Sequence, residues 1–296
     1  MLYVHTSHTW ASLLRDITLL LMATPFARRL ILEFHGSEIG LVRNPGSPLF
    51  RFASLFLVRL ADEILLLSSE EEAQWTSLCP RSRFWTVANP FVPLGERYNL
   101  KPRAGHAVSS RDKAVILFVG RLMREKGPFE VLEALEVVQR THDCRALFVG
   151  DGPERKKLVE AAEHGGLKSA VTFAGYLDGV ELLAAYRSAK LLVLPTWHAE
   201  GFPTVVSEAM AEGLPIITTQ IRGVRDHLEE NVNALFVERR DPASLARAIQ
   251  RLLENPGLCE NMGTANRLKV REFSPDRVGP HYLGILEESI RRGRVS

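Results

Sequence analysis

The stretch HAEGFPTVVSEAMAEGLP, residues 198–215, carries two acidic side chains, Glu200 and Glu208, in an otherwise apolar run. Ionised carboxylates only accept hydrogen bonds, so each needs donors. Between them the chain changes character. LLVLP ends at Pro195 as a strand would, and TWHAEGF reads as a loop. Pro203 suits the first helical position, where its missing N–H costs nothing. Gly213 suits the position just past a helix end. The pattern predicts a helix over about 203–212 whose N-terminus follows a strand's carboxyl end. The free amides of Gly201, Phe202 and Thr204, with the helix dipole, would attract an anion, most naturally a phosphate. Glu200 precedes that anion site, and Glu208 lies about one and a half turns inside the helix.

A carboxylate beside an anion site is unfavourable unless it meets hydroxyl donors. A ribose cis-diol offers two, and a sugar ring offers more. Hydroxyls, a diphosphate and a ribose in series describe a nucleotide sugar. The diphosphate needs cations, and FVGRLMREKG supplies them at another strand end. Arg121 can grip phosphate with two parallel bonds, and Lys126 adds a mobile point charge. Together they would stabilise a departing diphosphate. A basic pair in a solvated loop is the plainer reading of the same residues, and Arg124 takes it.

Those side chains need elements to hold them. MLYVHT, RLILEFHG, DEILLLS and RFWTVANPF read as strands, with helices over 10–24, 48–60 and 69–78. A Ser69–Glu72 capping box is expected to open the last helix. AVILFVG, RALFVG, VTFAG, LLVLP, PIITT and NALFV read as a second set of strands. Helices over 128–140, 153–164, 178–188, 203–212, 223–229 and 242–254 accompany them. The apolar runs are continuous rather than alternating, which suits parallel strands covered on both faces. Residues 92–112, broken by Pro93, Gly95, Pro102 and Gly105, read as a linker. The expected fold class is α/β, with two Rossmann-like doubly wound parallel-sheet domains facing a cleft. Ligands should sit at the carboxyl ends of the strands. The expected boundaries are 1–105, 106–280, and a C-terminal helix over 281–296 that packs back toward the first domain.

The chain has 296 residues, 46% hydrophobic and 24% charged, which suits a globular protein of about two domains. A net charge of +2 gives no reason to expect nucleic acid. Three scattered cysteines, Cys79, Cys144 and Cys259, argue against a disulfide frame and a zinc site and point to a reducing cytoplasm. No metal is expected. The apolar segment over 11–34 has its longest uncharged run at 17–27, well short of the about 20 residues a membrane span needs. It reads as a buried helix or as a membrane-surface helix ending at Arg28–Arg29. No GxGxxG follows any strand, which argues against a dinucleotide oxidoreductase.

GRLMREKG, VGDGPERKKL, VTFAGYL and EGFPTVVSEAMAEGLPII, in that order, resemble the retaining nucleotide-sugar glycosyltransferases of family four, which have the GT-B fold. The Glu200–Glu208 spacing matches that family's signature. The resemblance implies transfer of a sugar, with retention, from a UDP- or GDP-linked donor to an acceptor hydroxyl. The acceptor would be a glycan or a lipid-linked molecule in polysaccharide or glycolipid assembly, with no separate cofactor. By resemblance, Arg121 and Lys126 bind the diphosphate and Glu200 meets the sugar hydroxyls. Gly201, Phe202, Pro203 and Thr204 contact sugar and phosphate, and Glu208 takes the ribose. The loop of Gly150 and Gly152 would flank the nucleoside together with Tyr176, which either stacks on the base or covers the sheet edge. His35, at a strand end in EFHGSEI, matches a family histidine that faces the donor across the cleft. No DxD occurs in the sequence, so the diphosphate charge would fall to Arg121, Lys126 and the helix N-terminus.

The sequence also departs from the family. IRGVRDHL stands where members read Gly-Gly-x-x-Glu, with Asp226 in the acidic place. Asn233–Ala234 replaces an Asn-Gly turn, and Ala234 would be strained at a positive φ. The family's first strand and glycine-rich loop are not found ahead of the Met1 strand. The first domain is therefore expected to be truncated, its acceptor side incomplete and MLYVHT an edge open to self-association. A cytoplasmic chain, peripheral at the inner membrane face through its first domain, is the expected setting. Two alternatives share the fold: a nucleotide-sugar-binding module without catalysis, and a nucleotide-sugar 2-epimerase. The second would call for acid/base carboxylates and fits the GRLMREKG loop poorly.

Overall fold

Strands without alternation should be buried on both faces. LILEF, EILL and LLVL are buried at every position. The computed structural model describes residues 1–44, 46–100, 113–198 and 200–292. The first series runs β1 (Leu2–Thr6), α1 (Trp10–Ala23), β2 (Leu30–Phe34), α2 (Ile39–Arg43), α3 (Pro48–Leu60), β3 (Glu63–Leu66), α4 (Ser69–Leu78), β4 (Phe84–Thr86) and α5 (Leu94–Arg97). The second runs β5 (Ala114–Val119), α6 (Pro128–Val138), β6 (Cys144–Val149), α7 (Arg155–His164), β7 (Val171–Gly175), α8 (Gly179–Ser188), β8 (Leu191–Leu194), α9 (Thr204–Ala211), β9 (Ile216–Thr218), α10 (Arg222–His227) and β10 (Ala234–Phe236). Three helices close the chain: α11 (Pro242–Glu254), α12 (Pro256–Lys269) and α13 (Pro275–Arg292).

The strands form two parallel sheets, ordered β1-β2-β3-β4 and β10-β9-β8-β5-β6-β7. In the second sheet the chain moves outward from β5 through β6 and β7, then returns to β8 and moves outward the other way. The order therefore reverses between β5 and β8, and a crevice opens there at the strands' carboxyl ends. Arg121 follows β5 and Glu200 follows β8, so this topology places the two loops side by side. One apolar core fills the second domain. The first sheet has a core on each face. One packs Leu13, Leu20, Leu57 and Trp75 against the strands. In the other, Ile285 of α13 meets Ile31, Leu65, Leu67 and Val87.

Several local expectations change. The cap of α4 is Ser68, one residue earlier than expected, and its hydroxyl accepts from the Glu71 amide. Ser69 is spent elsewhere, on Asp226. Pro203 is the cap of α9 rather than its first residue, with φ −64 and ψ 127. Ala234 begins β10 and needs no positive φ, because Asn231 takes the left-handed turn at φ 64. The linker expected over 92–112 begins with the short helix α5, and 101–112 fall outside the described residues. Helix α12, rich in Asn and Gly, was not predicted.

Helix α1 buries Leu13 and Leu20 but exposes Trp10, Leu14, Leu21 and Met22. Among the described residues, no helix is long and apolar enough to cross a membrane. Strand β1 ends its sheet and pairs with β2 alone among the described residues.

Candidate functional site

The loop after β5 is pressed onto the loop after β8. The carbonyl of Glu125 accepts from the amides of Trp197 (2.8 Å) and His198 (3.1 Å) and from the Thr196 hydroxyl (3.2 Å). These bonds bring Lys126 to Glu200. The Lys126 ammonium lies 2.5 and 2.6 Å from the two Glu200 oxygens, with each side chain mostly shielded from water. The residues expected to grip diphosphate and sugar hydroxyls separately thus neutralise each other here.

Arg121 is exposed, at the edge of a cavity of about 420 Å³. Glu208, Gly150 and Tyr176 line the same cavity, and Leu182 and Val205 give it an apolar wall. Glu208 accepts a 2.6 Å hydrogen bond from Tyr186, whose ring is fully buried. Burial pushes the Glu208 carboxyl above its ordinary range, while the Tyr186 hydroxyl and the Arg97 charge hold it down. Burial, with Glu208 beside it, pushes the Tyr186 phenol well up, so this hydroxyl stays a donor. Tyr176 is 76% exposed and leaves a face free at the cavity rim.

The glycines serve close approach. A Cβ on Gly150 would lie 2.0 Å from the Gly120 carbonyl oxygen, and φ there is +128. One on Gly152 would lie 2.4 Å from the Leu122 oxygen. Both therefore let the β6 loop pack on the β5 loop, in addition to any ligand. A Cβ on Gly201 would meet Leu67 of the first domain at 2.5 Å. The Phe202 ring packs against His227 and Phe273. Thr204 is exposed at the first turn of α9, and Pro203 is buried before it.

His35 sits apart from this cavity. Its Nε2 lies 2.7 Å from His5 Nδ1, in a second cavity between the first sheet and α13.

The two domains also touch through the residues that depart from the family pattern. Arg222, at φ 26, stands at the place of the first glycine of Gly-Gly-x-x-Glu. Its guanidinium donates to Glu71 Oε1 (3.1 Å) and to the Ser37 carbonyl (2.8 Å). Glu71 also accepts from the Ser37 amide and hydroxyl at 2.7 and 2.6 Å. Beside it, Asp226 accepts from the Ser69 amide and hydroxyl at 2.7 and 2.6 Å. Sequence reasoning missed Tyr186, which sits in an ordinary apolar helix pattern. It noted the departure at 222–226 without seeing that it faces the first domain.

Two parallel-sheet α/β domains meeting at strand carboxyl ends, one with carboxylates and cations around a helix N-terminus, define the GT-B architecture. The chain belongs to the family described as glycosyl transferases group 1, whose model matches residues 106–269. It is similar to an uncharacterized glycosyltransferase of Methanocaldococcus jannaschii, at 32% identity over 175 residues. That match covers 59% of this chain and 45% of the relative. It is also similar to the alpha-D-kanosaminyltransferase of Streptomyces kanamyceticus, at 27% identity over 283 residues, 88% of this chain and 70% of that enzyme. Among solved structures, Anabaena HepE in complex with UDP shares the fold at a TM-score of 0.77 and 19% identity. That superposition covers 97% of this chain and 78% of HepE.

Proposed function

We propose that this chain transfers a sugar from a nucleotide-diphosphate sugar to an acceptor hydroxyl, with retention, as a member of glycosyltransferase family four. The observation that carries this reading is the Lys126–Glu200 pair joining the β5 and β8 loops, with Arg121 and Glu208 lining a cavity at the end of β5. Arg121 and Lys126 take the diphosphate, and Glu208 takes the ribose diol from the cavity wall. Glu200 releases Lys126 to the phosphate and turns to the sugar hydroxyls. After the exchange Lys126 pairs with the phosphate and the Glu200 carboxylate accepts hydrogen bonds from the sugar hydroxyls. Gly201 and Thr204 offer amides to the phosphate at the start of α9, and Gly150, Gly152 and Tyr176 flank the nucleoside. His35 faces the donor from the first domain once the cleft is filled. UDP- and GDP-linked sugars are the proposed donors; the structural neighbour Anabaena HepE is solved in complex with UDP.

The acceptor is proposed to be a glycan or a lipid-linked molecule, met at the inner face of a membrane in the cytoplasm. The exposed Trp10, Leu14, Leu21 and Met22 stripe of α1 supports a peripheral contact there. The edge of β1, unpaired among the described residues, supports self-association. The direct test incubates the chain with UDP-glucose or GDP-mannose and candidate acceptors. It follows nucleotide release and the anomeric proton of the product by NMR. An α-linked product from an α-linked donor is expected; an inverted product refutes family four. Epimerised donor with no transfer would favour the 2-epimerase reading.

A further inference from the structure

We infer that His5, Glu33 and His35 form a binding site for one divalent transition-metal ion, with zinc the best match. Two adjacent strands supply them: His5 lies in β1, and Glu33 and His35, two residues apart, flank the end of β2. Parallel pairing of β1 with β2 sets His5 beside Glu33. His35 follows β2 directly, held by a 2.9 Å bond from its amide to the Thr6 carbonyl. One ligand atom from each lies within 4.8 Å of the others. His5 Nδ1 lies 2.7 Å from His35 Nε2 and 3.2 Å from Glu33 Oε2. A tetrahedral zinc at about 2.0–2.1 Å from each ligand separates ligand atoms by about 3.3 Å. The His5–Glu33 separation already fits. The His5–His35 separation must open slightly, which His5 allows, being 59% exposed at its side chain.

Proton bookkeeping points the same way. A proton on His5 Nδ1 must be shared between Glu33 and His35. Without it, the Nδ1 lone pair faces the carboxylate. No single tautomer of the two rings serves both contacts well. A cation among the three atoms satisfies all the lone pairs together. The carboxylate is also braced as a metal ligand would be. Tyr3 donates to Glu33 Oε2 at 2.5 Å, and Tyr282 of α13 donates to Oε1 at 3.0 Å. Such outer partners orient a ligand and tune its affinity. Two imidazoles exclude magnesium and calcium as natural occupants and favour zinc, cobalt, nickel or copper. The cluster lines a cavity of about 480 Å³ walled by Pro90, Pro275 and Val278, which leaves a fourth coordination position open to a water or a hydroxyl.

One consequence rests on the function proposed above. An ion on His35 withdraws that imidazole from the donor, so zinc should inhibit sugar transfer. The metal site itself is tested apart from any activity. The full chain, stripped with chelator, is titrated with Zn²⁺ by calorimetry and with Co²⁺ by visible absorption. One saturable Zn²⁺ per chain is expected, with Co²⁺ giving the d–d bands of a four- or five-coordinate nitrogen and oxygen site. His5→Ala should weaken binding by at least about tenfold, and Tyr282→Phe by about tenfold. Circular dichroism checks that both variants remain folded. No saturable ion, or an affinity unchanged by His5→Ala, overturns the site. Nucleotide affinity in metal-free buffer is read separately, so failure of the metal site is distinguishable from failure of the transferase reading.

Discussion

In the resting structure Lys126 is neutralised by Glu200, and this makes the two substitutions act in opposite directions on free nucleoside diphosphate. Lys126→Ala removes a cation from the phosphate and leaves Glu200 facing it. A charge-assisted hydrogen bond is worth about 1.5–3 kcal/mol, so affinity should fall about 10- to 150-fold. Glu200→Ala does the reverse. It frees an ammonium now held at 2.5–2.6 Å from a carboxylate. It also deletes a negative charge beside a diphosphate. The Glu200 side chain is 22% exposed, so water screens part of this effect. At a separation of about 6 Å and an effective dielectric near water's, the gain is about 1 kcal/mol, or about fivefold tighter binding. The intact nucleotide sugar should respond differently, because its hydroxyls lose their acceptor in Glu200→Ala. Calorimetric titration of both variants with UDP, GDP and the matching sugar donors reads all of this. Weakening of free UDP and GDP by Glu200→Ala, to the extent that Lys126→Ala weakens them, would refute the exchange of Lys126 between carboxylate and phosphate.

Tyr186→Phe should loosen Glu208 and weaken nucleotide binding by a few-fold, about 0.5–1.5 kcal/mol for one hydrogen bond, while narrowing the preference for ribo- over 2′-deoxynucleotides; equal discrimination in wild type and variant counts against the ribose role. Because the Glu208 pKa is raised, the ionised acceptor is lost on acidification earlier than for an ordinary glutamate near about 4.3, so nucleotide affinity should fall with pH in wild type relative to Glu208→Gln. The nucleotide's own titration is common to both proteins, and parallel pH profiles would contradict the assignment. His8 is fully buried, with Nδ1 accepting from the Glu38 amide at 2.9 Å; burial first, and the nearby Arg222 charge second, lower its pKa to about 3. The folded state therefore keeps His8 neutral while the unfolded chain protonates it below about 6.5, so its contribution is complete above that pH and is lost as pH falls toward 3, by about 2–3 kcal/mol at pH 4.5. Thermal unfolding of wild type and His8→Gln should converge between pH 7 and 4.5, and a constant gap would refute the coupling. Arg222→Gly relieves a positive φ but removes a buried cation from Glu71, which keeps its Ser37 donors; the cleft should open, seen as a larger radius of gyration by small-angle scattering, and an unchanged radius would deny the clasp a role in holding the domains together.

The strands and most helices were legible because unbroken apolar runs and Pro/Gly punctuation report a parallel sheet locally. The α3 and α11 boundaries match the residue pattern to the residue. Helix α12 was not legible, since PGLCENMGTANRLK has weak helix propensity and owes its form to packing through Cys259, Met262 and Asn266. Within the site, the Glu200–Glu208 spacing and the strand-end cations could be read directly. What could not be read were pairings set by tertiary contact. Lys126 meets Glu200 only because β5 and β8 are neighbours. Tyr186 reaches Glu208 from α8, and Arg222 turns toward the first domain. Gly150 and Gly152 of VGDGPE are packed on the backbone of the β5 loop, a contact that the sequence alone does not show.

The proposed transfer depends on recognition of a nucleoside diphosphate by the β5/β8 crevice and its cavity. The most direct measurement is calorimetric titration of the full chain with UDP and GDP, each against its monophosphate and nucleoside, in wild type and Arg121→Ala. Arg121 is exposed, so its replacement should leave the fold intact. One site per chain is expected, with a diphosphate bound more tightly than its monophosphate and a loss of about 10- to 150-fold in Arg121→Ala that is much smaller for the nucleoside. No saturable binding of either diphosphate to folded protein, or equal affinity in wild type and Arg121→Ala, would contradict it.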